Sequence, residues 1–324
     1  MRRRRLPACV NRAWCKATHS TPMTRLRLVA LVALSMLAFA SNSLLCRMAL
    51  KNTSIDAATF TTVRMLSGAC MLWLLVHWRA AAGQPNGNAA MCTASGTAAL
   101  RPASAGNWLS ACALFAYAAC FSYAYVSMSA ATGALLLFGS VQASMMGYAL
   151  VQGERLSKLQ TLGFACALAG LVVLMLPGLV APSLLSALLM VSAGLAWSVY
   201  TVQGKRTAHL GAANPSQVTA GNFMRTVPLA LLLNALMWRH LSWDATGLML
   251  AAVSGALASG LGYVLWYQAL PALKATQAAT AQLSVPVIAA LGGVLLLGES
   301  LTLTMLLAST AILGGMALLI LNKR

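Results

Sequence analysis

Residues 28–48 read LVALVALSMLAFASNSLLCRM, an apolar run whose single charge, Arg47, lies near its end. A helix rises about 1.5 Å per residue, so roughly 20 mainly apolar residues cross the ~30 Å hydrocarbon core of a bilayer, and this run is long enough to do so. The same pattern recurs at 60–78, 108–127, 132–151 and 161–180, then at 184–202, 218–237, 248–270, 275–297 and 301–321. The tightest splits fall at 127–132 and 179–184. These runs predict an all-α integral membrane protein with ten transmembrane helices.

Composition agrees. The chain is 60% hydrophobic and 8% charged, with a mean hydropathy of +0.77, whereas a soluble domain is about 25% charged and could not bury this much apolar surface. All eight cysteines fall between residues 9 and 166, and those within the apolar runs stand singly, without paired metal-ligand spacing. They read as small buried hydrophobes rather than a disulfide framework.

A net charge of +18 and a pI near 10.4 would fit a nucleic-acid binder if the basic residues formed a patch. They lie instead at segment ends and in one tail. With the N-terminus in the cytoplasm, 17 of the 22 Lys and Arg fall on the cytoplasmic side, three (Arg47, Lys51, Arg239) on the other, and Arg64 and Arg225 inside segments. The positive-inside rule then places both termini in the cytoplasm, here of a bacterial inner membrane. The partners expected are the lipid bilayer and a small-molecule substrate, with no nucleic acid; a homodimer is left open.

Residues 1–24 form a basic tail in which Arg2, Arg3, Arg4 and Arg5 precede an apolar run ending Ala38-Phe39-Ala40, an imitation of a signal peptide. Against cleavage, Leu37-Ala38-Phe39 has a counterpart in Leu195-Ala196-Trp197, and Arg47 and Lys205 follow the two triplets at the same distance. Met23 is an alternative start. Residues 80–107, rich in Ala, Gly, Ser, Asn and Pro, have the composition of a flexible cytoplasmic loop.

The chain repeats itself. Gly153-Glu154-Arg155-Leu156 aligns with Gly298-Glu299-Ser300-Leu301 at a shift of 145 residues, and Leu168-Ala169-Gly170 then falls on Leu313-Gly314-Gly315. Two units of five helices follow, 25–181 and 182–324. Five being odd, the second unit enters the membrane from the opposite side, the inverted repeat of many secondary transporters. Glu154 and Glu299 are each expected to cap the helix that follows.

Three features together, the stretch Ala38-Phe39-Ala40-Ser41-Asn42-Ser43-Leu44-Leu45-Cys46-Arg47, Arg64 in the second segment, and Gly-Glu after the fourth and ninth, resemble the EamA-type members of the drug/metabolite transporter superfamily. The resemblance spans roughly residues 25–322 and implies ten helices in two EamA repeats and export or exchange of small metabolites or drugs. One departure is Val141, which stands in the first repeat where the second has Pro286. An unbroken fourth helix offers no free carbonyls to a substrate.

Charges inside a membrane segment are costly and face the bundle interior, which makes Arg64 and Arg225 candidates for the substrate path. Asn42 and Ser43, Tyr123 and Gln142, and Gln277, Thr280, Gln282 and Ser284 of the ninth segment are the polar candidates. Tyr263 and Trp266 form an aromatic end to the eighth, either an interfacial belt or a cavity wall; Ala251, Gly255 and Ser259 at four-residue spacing read as close helix packing.

All four carboxylates, Asp56, Glu154, Asp244 and Glu299, are expected at helix ends or in loops, which disfavours a buried acid relay for protons or a cation site. An anionic, zwitterionic or neutral substrate, such as an amino-acid-like molecule, follows. The histidines lie at ends or in tails, and no H-E-x-x-H, serine elbow or phosphate loop is present. An enzyme, a metal site, a cofactor and ATP hydrolysis are therefore not expected. The alternative to a transporter is a polytopic scaffold or receptor that moves nothing.

Overall fold

A computed structural model describes residues 24–81, 105–151, 153, 157–175, 182–209, 214–273, 281–300 and 302–321, and the structural statements below concern these residues. The basic tail, most of the predicted loop at 80–107, Glu154, Gln277 and Thr280 lie outside them.

The described chain is helical: α1 (Arg25–Asn52), α2 (Ala57–Ala81), α3 (Trp108–Tyr125), α4 (Ala130–Val151), α5 (Lys158–Met175), α6 (Leu184–His209), α7 (Pro215–Leu236), α8 (Ala245–Ala269), α9 (Ser284–Leu297) and α10 (Leu303–Leu321). Six of them, α1 to α4, α6 and α8, are long and apolar enough to cross a membrane, and α5, α9 and α10 contain shorter apolar stretches. Several begin a few residues before the hydropathy runs because polar caps extend them. Asp244 accepts from the Gly247 N–H at 3.2 Å, Asp56 from Ala58 and Thr59 at 2.9 and 3.0 Å, and Asn214, followed by Pro215, from Ser216 at 3.1 Å. Such side chains satisfy the first amides of a helix, which have no partner within it.

Serines and threonines inside the helices cause no break, since their hydroxyls return to the backbone one turn earlier. Thr61 bonds to Ala57 O, Ser122 to Ala118 O and Thr201 to Trp197 O. Leucines and valines such as Leu184, Leu185, Leu295 and Leu303 point outward, the inside-out distribution expected where the solvent is lipid. Cys46 is buried, but Cys70 and Cys112 are exposed. The expectation of buried cysteines therefore fails for these two, because an apolar outer face accepts a thiol as readily as a core does.

The helices pack in matched sets. α2 lies on α7, α4 on α9 and α5 on α10; α3 pairs with α6 as α1 does with α8; α4–α6 is matched by α1–α9, and α3–α7 by α2–α8. α4 is continuous, as Val141 in place of a proline predicts, whereas the helical turn at Ala281 and Gln282 is interrupted at Leu283, three residues before Pro286.

α8 is not one regular helix. Its middle, Ser254–Leu261, is wound as a π-helix between two α-helical arms. The cause sits opposite: a Cβ on Gly255 would collide with the carbonyl of Arg64 and the hydroxyl of Ser67 on α2. Only glycine lets the two backbones approach this closely, and the wide turn carries Ser254 and Ser259 inward, both fully buried.

α9 ends at Gly298, whose φ of +62° is left-handed, and the turn delivers Glu299. Its carboxylate does not cap α10, as its sequence position suggests. It accepts the N–H of Ala130 at the start of α4 at 2.9 Å and pairs with Arg47 of α1 at 3.4 Å. The reversal at Gly298 aims the side chain back across the bundle, toward an unsatisfied helix N-terminus and a cation. Arg47 donates further to Tyr125 O and Val126 O, both at 2.9 Å, and Lys51 to Leu297 O at 3.2 Å. One end of the bundle is thus laced together across α1, α3, α4 and α9.

Candidate functional site

Arg64 is the one charged side chain among the described residues that is fully buried. It sits two turns into α2, and leaving a guanidinium in such surroundings costs free energy unless its donors are engaged. Nε donates to Ser259 Oγ at 3.0 Å and Nη2 to the Tyr117 hydroxyl at 3.4 Å. The charge also stacks 5.3 Å from the ring centre of Tyr117 and 5.0 Å from that of Phe121, favourable cation–π positions. Nη1 has no hydrogen-bond partner.

The network continues. Asn42 Nδ2 donates to the Tyr117 hydroxyl at 3.2 Å, and Ser254 donates to Asn42 Oδ1 at 2.7 Å. Side chains from α1, α2, α3 and α8 therefore meet in one chain of hydrogen bonds, with its two serines supplied by the π-helical stretch.

Beside this network is a cavity lined by Phe39, Asn42, Ser43, Tyr117, Phe121, Leu137, Phe138, Trp197 and Tyr263. It leaves about 20 Å³ to the centre of a water molecule, room for about one water. Its walls are aromatic. Trp197 lies 5.0 Å from Tyr117 and 4.9 Å from Tyr263 between ring centres, and Phe39 meets Trp197, Tyr263 and Trp266 edge-on at 6.1, 5.8 and 6.0 Å. The Tyr263 hydroxyl is buried next to that of Tyr117, with no well-formed hydrogen bond.

Of the residues singled out by sequence, Asn42, Ser43, Arg64 and Tyr263 converge here, and Trp266 stands behind Phe39. Of the aromatic end of α8, Tyr263 lines the cavity, whereas Trp266 is buried outside the lining. Tyr123 and Gln142 are half-buried on α3 and α4 away from the lining. Gln282 is buried outside it, and the Ser284 hydroxyl bonds back to Ala281 O at 2.7 Å. Arg225 is elsewhere too: its Nη1 donates to Ala105 O at 2.7 Å and Gly221 O at 3.0 Å, stapling the entrance of α3 to α7. An arginine within reach of an irregular backbone segment finds carbonyls there and need not enter the core.

Tyr117, Phe121, Ser254 and Ser259 were not legible as site residues. A signal was present for the first two, since Tyr117, Phe121 and Tyr125 recur every four residues and form one aromatic stripe on α3. The serines carried no such signal; their inward position depends on the π-helical winding of α8.

Comparison with known proteins agrees with this architecture. An uncharacterized protein of Pseudomonas aeruginosa is 50% identical over 294 residues, covering 91% of this chain and 94% of its own. A protein of known crystal structure, 18% identical, superposes with a TM-score of 0.62 over 92% of this chain and 98% of its own, a likeness of fold alone. Residues 184–321 match the model of the EamA-like transporter family. With its apolar helices and a buried polar centre, the chain belongs to the EamA-like transporter family of the drug/metabolite transporter superfamily.

Proposed function

We propose that this protein is a secondary transporter that carries a small metabolite or drug across a bacterial inner membrane by alternating access, as an exporter or exchanger. Its substrate, anionic, zwitterionic or neutral, sits in the aromatic cavity beside Arg64. The observation that carries this reading is a fully buried arginine with no carboxylate beside it among the described residues, at the meeting point of four helices. A membrane protein retains an intramembrane charge of this kind for a function, because its insertion costs about 2.5–3.5 kcal/mol.

The accompanying architecture is ten transmembrane helices in two inverted repeats, residues 25–181 and 182–324, with both termini cytoplasmic. The packing supports this, since each pair of contacts listed above maps onto its mate when every helix is exchanged for the one five places along. Phe39 and Trp197, equivalent members of the two Leu-Ala-aromatic triplets, meet at 6.1 Å beside the cavity. A substrate site at the interface of the two repeats is where such carriers bind their cargo.

The test is counterflow into liposomes containing the purified protein, with a labelled panel of amino acids, other metabolites and cationic drugs. Saturable movement that Arg64→Gln abolishes is expected. A protein that moves nothing on a broad panel while remaining folded is a scaffold or receptor.

A further inference from the structure

The hydrogen-bond valences around the cavity are unbalanced. Arg64 can only donate, and the donations converge on Tyr117, which accepts from Arg64 and Asn42, while Asn42 Oδ1 is occupied by Ser254. With both lone pairs of Tyr117 engaged, its own O–H is left to give, and the neighbouring Tyr263 oxygen can take it while the Tyr263 O–H stays unused. Two more donors stand free and buried, Arg64 Nη1 and the Tyr263 hydroxyl. Turning the Asn42 amide over reverses both of its links, to Tyr117 and to Ser254, and leaves the guanidinium surplus intact. No Asp or Glu among the described residues reaches this centre, since Asp56, Asp244 and Glu299 are engaged at helix ends.

We infer that the ligand enters this cavity with an oxyanion group, held by the hydroxyls of Tyr117 and Tyr263 and by the charge of Arg64 behind the Tyr117 and Phe121 rings, and an apolar body against Phe39, Phe121 and Trp197; this rests on the cavity being the substrate site proposed above. Tyr117 and Phe121 line the cavity and also face the guanidinium, so the charge lies one ring's thickness from the ligand. In surroundings of low dielectric it attracts an anion and repels an ammonium strongly. Buried donors without partners discriminate sharply between a ligand that accepts from them and one that does not.

The experiment uses the full-length protein in nanodiscs and competition against radiolabelled phenylacetate, with phenyl phosphate, phenylacetamide and phenethylamine as competitors. At least one anion is expected to out-compete the amide by about tenfold or more, with the amine weaker still. Tyr263→Phe, which keeps the ring and removes only the hydroxyl, should weaken that anion about tenfold and leave the amide unchanged; Arg64→Gln should erase the preference. An amide or amine that binds as tightly as both anions overturns the inference, as does an anion-to-amide ratio untouched by Tyr263→Phe, or no saturable binding of either anion. Counterflow with the same compounds separates this from the transport reading. Anions that bind but never move leave the oxyanion site standing and defeat transport, whereas movement led by the amide does the reverse.

Discussion

Two arginines, Arg47 and Arg64, lie on neighbouring helices, and their surroundings are opposite. Arg47, at the laced end of the bundle, faces a carboxylate and two carbonyls, in a geometry where opposite charge and open helix ends satisfy one another. Arg64 has a serine, a tyrosine hydroxyl and two aromatic faces, no acid, and a nitrogen left over. An arginine whose bonds are complete serves the fold. One that is buried and incomplete is tolerated at a cost to stability, and the difference points to a ligand.

The strongest way to break this comparison is at the clamp. Glu299→Ala leaves Arg47 without its counter-charge and the first turn of α4 without its acceptor, and should destabilise the protein by about 3–5 kcal/mol, read as a drop in thermal stability in nanodiscs. The double variant Arg47→Met with Glu299→Gln should recover part of the loss, because no unpaired charge remains. Transport by whatever protein stays folded should persist.

Arg64 should behave in the opposite sense. Arg64→Met removes an uncompensated buried charge and fills its volume, so stability should hold or rise, while counterflow falls about a hundredfold. A protein that unfolds on this change would place Arg64 with Arg47, as a structural group.

Between these lies Gly255→Ala. Its Cβ would strike the Arg64 carbonyl, so α2 and α8 must separate, at a cost of about 1–3 kcal/mol and with weaker ligand binding as Ser259 draws away from Nε. The smallest effect belongs to Arg225→Gln. Its guanidinium binds carbonyls at the start of α3, and binding in the central cavity should change by less than about twofold, the scale of a remote substitution.

The fold was more legible than the site. Segment lengths anticipated the helices, and Arg64 was marked by depth alone. The absence of a proline at 141 raised the case of an unbroken fourth helix, and α4 is continuous; the interruption at Leu283 was not foreseen. The π-helical stretch was not foreseen, since Ala251, Gly255 and Ser259 look the same in an α-helix that packs closely. The role of Glu299 was misread for a similar reason: a local rule assigns a carboxylate to the next helix, and the left-handed turn at Gly298 sends it to another.

What the sequence determined by itself is what depends on partition. Whether a stretch enters a bilayer is a sum over some 20 residues. Which faces meet was decided only by the tertiary structure. These helices are apolar nearly all the way round, so no stripe on the sequence says which side is turned inward. The orientation that brings Tyr117, Asn42, Ser254 and Ser259 to Arg64 is set by close contacts such as Gly255 on α2, and by the need of one buried guanidinium for partners from several helices at once.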